Sequence, residues 1–426
     1  MERFLYRELI KWKQSQGRKP LILNGARQVG KTWLLQEFGH REYPRMAYFA
    51  CDKTEDVRRV FEADYDIQRI IRQLSALSGV DIHPNDTLIV LDEIQACPRA
   101  LSALKYFCED AADYHVAVAG SLLGISLHEG LSFPVGKVDM LRVYPLSFRE
   151  FLLAMGKEGM ERLIAEHDYP SMNTLFNSFS DLLRQYFYVG GMPAAVLTYI
   201  NGQGLNAVRE VQTQILFDYG KDFSKHAPVS QVARINMVWQ SVPAQLFKEN
   251  KKFRYADLKK GGRAAEFELA IQWLIDTGVV HKVTRCREPR MPLKAYEDAS
   301  AFKLYLVDGG LLGAMVEAPA AQVLIGDNIF KEYRGGFTEQ YVYQQLVCAN
   351  KGNIFYHSAE DSRLEIDFLM HSDNGIVPIE VKAGRNVQSN SLHHYLELHP
   401  ELHAIRYSML PYIHQEHLTN IPLFAI

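Results

Sequence analysis

The chain has 426 residues, 47% of them hydrophobic, with 47 Lys and Arg against 50 Asp and Glu and a formal net charge of −3. That length implies about two to four domains with substantial cores, and the near-neutral charge excludes a global pull toward nucleic acid or membrane, so any such surface must be local. Five cysteines, Cys51, Cys97, Cys108, Cys286 and Cys348, fall without CxxC or Cys/His metal spacing, which argues against a disulfide framework or zinc site and fits a reducing, cytoplasmic setting.

Met1 to Leu9 form an amphipathic pattern with charges throughout, unlike a signal peptide, and no apolar run reaches the roughly 18 residues a spanning helix needs. The apolar run Pro20–Asn24 predicts a buried parallel strand, and Trp33–Phe38 predicts the opening of a helix. Between them stand Gly25, Ala26, Arg27, Gln28, Val29, Gly30, Lys31 and Thr32, which fit the phosphate-loop pattern GxxxxGK(S/T) in the strand-loop-helix context it requires. Gly25 and Gly30 permit the tight turn, the freed amides of the helix start point at phosphate, Lys31 reaches the β- and γ-phosphates, and the Thr32 hydroxyl is a ligand for Mg²⁺.

Thr87 to Glu93 predict a second parallel strand ending in two carboxylates, with Asp92 placed to hold the Mg²⁺ shell and Glu93 to polarise the attacking water. A third strand, His115–Ser121, ends in a hydroxyl that could sense the γ-phosphate or orient the water.

Four stretches together carry a family resemblance: GARQVGKT, LDEIQACP, the AGSLLG strand end and Val143–Phe151, read VYPLSFREF. With Gly190-Gly191-Met192-Pro193 and the tail, the chain resembles the AAA-type ATP-binding proteins of bacteria and archaea that carry an uncharacterised C-terminal domain. That resemblance, with the absence of an NKxD motif, implies ATP in preference to GTP. Where such proteins usually show Gly-Arg before the PLSFxEF element, this chain has Gly136-Lys137, with Arg142 and Arg149 further on. A finger that stabilises the transferring phosphoryl group would then fall to Arg142 or to the weaker point charge of Lys137, with Arg149 a further substitute; ordinary surface cations are an equal reading.

From residue 156 the pattern turns helical, with Leu163, Leu175, Leu182 and Phe187 among the apolar anchors, and predicts a lid that packs beside the nucleotide. Gly190-Gly191 interrupts it and Pro193 restarts it, as a hinge or as a plain helix–helix turn. Residues 229–318 give helix, short helix, helix and then a strand hairpin, a winged-helix outline. Lys251, Lys252, Arg254, Lys259, Lys260 and Arg263 gather around its second helix as a local basic patch able to neutralise phosphates. A docking module for protein, with the charges as a solvated face, is the competing reading.

In the tail, Glu339 falls on a predicted helix, while Asp367, Glu380 and Lys382 fall on two predicted strands, with Glu380 and Lys382 on one face by period-two alternation. Paired hard carboxylates can hold Mg²⁺ beside a lysine, the chemistry of phosphodiester cleavage; a salt-bridged strand pair explains the same residues. The set resembles the PD-(D/E)xK nuclease superfamily.

The expected fold is thus α/β: a P-loop NTPase parallel sheet with a helical lid, then a winged helix and a small α/β nuclease-like domain, bounded at 1–155, 156–228, 229–318 and 319–426. The expected activity is Mg²⁺-dependent ATP hydrolysis coupled to nucleic-acid binding or processing. The alternative is an ATP-dependent regulatory switch whose winged helix docks a protein partner and whose tail is inactive. Oligomeric state is open at this point.

Overall fold

The computed structural model describes residues 1–121, 133–324, 331–349, 352–359, 364–372, 375–384 and 390–426. Leu122, Leu123 and Gly124 of the AGSLLG stretch lie outside the described residues. The chain divides into two compact units, Glu2–Tyr144 with Asp276–Val279, and Pro145–Ile275 with Val280–Ile426.

The first unit is built on five parallel strands: β1 (Leu21–Asn24), β2 (Arg45–Ala50), β3 (Thr87–Asp92), β4 (His115–Ala119) and β5 (Asp139–Arg142), in the order β2-β3-β4-β1-β5. β1, β3 and β4 are apolar almost throughout because their faces are covered, as a parallel sheet with helical crossovers demands. Ile22, Ile89, Leu91, Val116 and Val118 meet Phe61, Ile70 and Leu104 in one core. Since β3, β4 and β1 are neighbours and run the same way, the three expected site segments emerge side by side at one edge of the sheet.

Pro145–Met155, expected to close the ATPase core, packs instead within the second unit. Phe148 and Phe151 of the Phe148–Ala154 helix stand edge-on to the buried Tyr186 ring, and the Phe148 amide donates to Gln345 Oε1 at 2.7 Å. Ser147 and Glu150 close a capping box at the start of that helix. The Gly190-Gly191 break lies in a buried junction: a Cβ on Gly191 would fall 2.1 Å from the Leu146 carbonyl oxygen, and one on Gly190, where φ is 70°, would fall 2.8 Å from the Gly310 backbone. Asp308, fully buried, accepts from the Gly191 amide at 2.6 Å and from Leu311 at 3.0 Å. The break is a helix junction held by close backbone approach and hydrogen bonds.

The helices Val229–Leu246 and Ala264–Asp276, with a 3₁₀ turn at Tyr255–Asp257 between them, precede the antiparallel hairpin of β6 (Val280–Cys286) and β7 (Glu297–Leu306). Helix, short turn, helix and hairpin follow one another in that order, but the hairpin does not end a separate module. β6 pairs parallel with β8 (Ile354–Ser358), so the hairpin continues into β9 (Glu365–Ser372), β10 (Gly375–Lys382), β11 (Ala404–Ser408), β12 (Ile413–His414) and β13 (Leu418–Pro422), in the order β12-β13-β11-β10-β9-β8-β6-β7. A boundary drawn at 318/319 therefore divides one eight-stranded mixed sheet.

Candidate nucleotide site and the carboxylate cluster of the tail

The phosphate loop takes its shape from three left-handed or near-extended positions: Gly25 at φ 150°, Gln28 at φ 66° and Gly30 at φ 94°. A Cβ on Gly25 would lie 2.2 Å from the Val143 carbonyl oxygen, so only glycine fits against the chain leaving β5. Gly30 caps the Lys31–Glu42 helix, and its carbonyl accepts the first intrahelical bond from Leu34 at 3.0 Å. The amides of that first turn have no intrahelical acceptor and point along the positive end of the helix dipole. The Lys31 ammonium folds back to the Gly25 and Ala26 carbonyls at 3.0 and 2.8 Å. Burial pushes it down to about 8, against the opposing pull of Glu93 and Asp92.

Thr32 Oγ1 donates to Asp92 Oδ2 at 2.7 Å, and the Tyr48 hydroxyl donates to the same oxygen at 2.7 Å. Glu93, next in chain, sits at φ 49°, a conformation that non-glycine residues hold only when their surroundings impose it. Its amide donates to Asp92 Oδ1 at 3.0 Å, and its Oε2 accepts from Gln95 and, at 3.3 Å, from Ser121 Oγ. Loop, strand end and hydroxyl therefore meet in one place. Arg27 is exposed on the loop, while Ala26 and Val29 are buried beneath it.

Three contributors carry no sequence motif. Arg3, 6% exposed, donates to the Val29 carbonyl at 3.0 Å and to the Tyr144 carbonyl at 2.6 Å, bracing the loop from outside. Tyr48 fixes Asp92, and Asn24 Oδ1 accepts the Gly25 amide at 2.7 Å. Only Asn24, by its place before the loop, left a signal.

Of the finger candidates, Arg142 is exposed at the end of β5, across from Asn24 in register and over the Tyr144 ring. Lys137 precedes β5, at the sheet edge opposite the phosphate loop, and pairs with Glu109 at 2.9 Å. It is not near its own chain's loop. Arg149 Nε binds Glu161 at 3.0 Å in the second unit.

The basic patch is smaller than its sequence. Lys252, Arg254, Lys260 and Arg263 are exposed, but Lys259 pairs with Glu266 at 3.0 Å, and Lys251 turns inward to Glu339. At the nearby hairpin, Arg285 pairs with Asp298, and Arg290 with Glu288 at 3.4 Å.

In the tail the β9–β10 register runs as far as Ile379 opposite Phe368, beside Glu380 and Asp367, and Asp367 Oδ2 accepts the Val381 amide at 2.8 Å. Lys382 reaches Glu380 Oε1 at 3.0 Å. Glu339, on the Lys331–Cys348 helix, is 1% exposed and takes Lys251, Lys303 at 3.0 Å and the Tyr305 hydroxyl. Burial alone would raise the Glu339 carboxyl; the two ammoniums outweigh it and hold it down to about 2. Burial, with Glu339 nearby, pushes Asp367 up to about 7. The expected tail residues are neighbours, yet among the described residues no three His, Cys, Asp or Glu side chains are grouped to hold a metal ion. Among those residues, too, no helix is long and apolar enough to cross a membrane.

Family comparison assigns residues 17–152 to an AAA domain, 180–322 to a domain of unknown function (DUF8612) and 334–423 to another (DUF4143). No curated protein matches the sequence. Among solved structures, the Walker-type ATPase of Pyrococcus abyssi is similar at 11% identity and TM-score 0.47, over 73% of this chain and 94% of that one. The Aeropyrum pernix ORC1 protein in complex with DNA is similar at 14% identity and TM-score 0.28, over 75% and 92%. AMPPCP-bound DnaA from Aquifex aeolicus is similar at 14% identity and TM-score 0.28, over 64% and 88%. The chain carries an AAA-type P-loop ATPase domain followed by two domains of unknown function.

Proposed function

We propose that this protein binds ATP with Mg²⁺ and hydrolyses it at the edge of the five-stranded sheet, and that the nucleotide state governs the helical and mixed-sheet unit. The observation that carries this reading is the hydrogen-bonded set of Thr32, Asp92, Glu93 and Ser121 at adjacent strand ends, beside the loop whose Gly25 and Ala26 carbonyls hold Lys31. Thr32 Oγ1 and Asp92 are hard oxygen donors already in contact, a donor set that suits Mg²⁺. They would hold the ion, which when bound neutralises charge between the β- and γ-phosphates. The loop amides and Lys31 bind phosphate, Lys31 exchanging its two carbonyl contacts for phosphate oxygens. Glu93 takes the proton of the attacking water, oriented by Gln95 and Ser121. Arg142 is the finger candidate best placed near the loop.

Nucleic acid is the partner we propose for the second unit, through exposed Lys252, Arg254, Lys260 and Arg263. The ion pairs that occupy Lys251, Lys259, Arg285 and Arg290 favour the second reading, a switch whose winged helix docks a protein. Steady-state ATP hydrolysis with Mg²⁺ tests both, for wild type, Lys31→Ala and Glu93→Gln, with and without duplex or single-stranded DNA. Lys31→Ala is expected to lose binding and turnover, and Glu93→Gln to lose turnover while keeping binding. Normal hydrolysis by Glu93→Gln would remove its role as base. Stimulation by DNA supports the nucleic-acid reading; turnover indifferent to DNA supports the protein switch.

A further inference from the structure

The geometry points to a carboxylate cluster in the tail that carries its own cations: the ammoniums of Lys251 and Lys303 occupy Glu339 where a divalent ion would bind, making the constellation an ion-paired lock instead of a metal site. Mg²⁺ demands about six oxygen ligands at roughly 2.0–2.1 Å, with carboxylate oxygens free to turn toward it. Here both Glu339 oxygens are committed, Oε2 to Lys251 and Oε1 to Lys303 at 3.0 Å and to Tyr305. Lys303, with no exposed surface, also binds Glu365 Oε1 at 2.7 Å. Asp367 Oδ2 is held by the Val381 amide, and Glu380 Oε1 by Lys382.

Glu339 thus has both oxygens on donors, Asp367 and Glu380 have one each, and the ammoniums of Lys251 and Lys303 stand inside the region that a divalent ion would also have to enter. Like charges so close in a poorly solvated site repel strongly. The lock has a structural consequence. Lys251 follows the Val229–Leu246 helix and Lys303 lies on β7, while Glu339, Glu365 and Asp367 belong to the tail helix and β9, so the pairs tie the hairpin half of the sheet to the tail half.

The test is Mn²⁺ titration of the nucleotide-free full chain, followed by electron paramagnetic resonance, in an Asp92→Asn background that silences the nucleotide site. No saturable binding is expected, and EDTA should leave the melting curve unchanged. Stoichiometric Mn²⁺ binding that Asp367→Asn abolishes would overturn the inference. Lys303→Met is expected to lower the melting temperature by roughly 5 °C or more, and Glu339→Gln in the same chain to add little, since the partners are lost together. Fully additive losses would also overturn it. Lys251→Met, at a partly exposed position, gives the same comparison if Lys303→Met fails to fold.

Discussion

Replacing Arg3 with Ala tests how much of the phosphate loop's shape is imposed from outside the motif. Its buried guanidinium bridges the Val29 carbonyl, one residue before Gly30, and the Tyr144 carbonyl, one residue after the Val143 carbonyl that presses on Gly25. Both flanks of the loop are therefore tied to one side chain. Hydrogen bonds from a charged donor contribute about 1.5–3 kcal/mol each, so losing two removes about 3 kcal/mol or more. If half of that falls on the loop's bound geometry, the competent fraction drops about tenfold, and apparent affinity drops with it. The expected result is a KM for ATP raised roughly tenfold with kcat within about threefold of wild type, because Asp92 and Glu93 are untouched. Arg3→Lys, which keeps the charge and can keep one contact, should recover most of the loss. Steady-state kinetics over a range of ATP, beside calorimetric binding and a melting curve to establish folding, separates these terms. A folded Arg3→Ala protein with KM within twofold of wild type would refute the bracing role.

Gly25→Ala places a Cβ 2.2 Å from the Val143 carbonyl oxygen, a backbone atom that cannot swing away; loss of nucleotide binding is expected in a fluorescent-nucleotide titration, and retained affinity would show that the loop can open. His115 on β4 is 4% exposed, with the Tyr43 hydroxyl 2.7 Å from its Nδ1, and burial, with Arg18 and Lys13 adding to it, pushes its pKa down to about 4. An unfolded histidine titrates near 6.5, so between pH 6.5 and 4 the unfolded chain binds a proton that the fold refuses, and stability is lost as pH falls through that window. From pH 7 to 5 the loss from the shift to about 4 amounts to about 2 kcal/mol. Melting of wild type and His115→Gln at both pH values should show the extra loss only in wild type, and equal losses would assign the acid sensitivity to other groups.

Sequence and structure agree where the signal is local. The phosphate loop is eight contiguous residues, and its strand and helix flanks follow from short-range patterning, so the site's anion cradle is legible before any fold is known. Arg3 is not, because its acceptors lie 26 and 141 residues away and a single arginine at that separation leaves no pattern. The hairpin of β6 and β7 follows from two apolar runs close in sequence, whereas the parallel pairing of β6 with β8 joins strands separated by β7 and several helices and is set by tertiary packing.

Lys251 lies between these cases. As one member of a charge run it belongs with a solvated basic face, yet the segment around it alternates in burial: Phe253 is 5% exposed and its amide donates to the Phe302 carbonyl at 2.8 Å, while Lys252 and Arg254 face solvent. In an extended segment residues two apart share a face. A lysine two positions before an anchored phenylalanine is therefore directed inward, where only a buried carboxylate makes that placement tolerable. Glu339 is that carboxylate, and the same contact that shrinks the basic patch fills the tail's acidic cluster. Two separate readings of the sequence, a nucleic-acid patch and a metal site, are thus linked through one ion pair, and weakening either partner alters both.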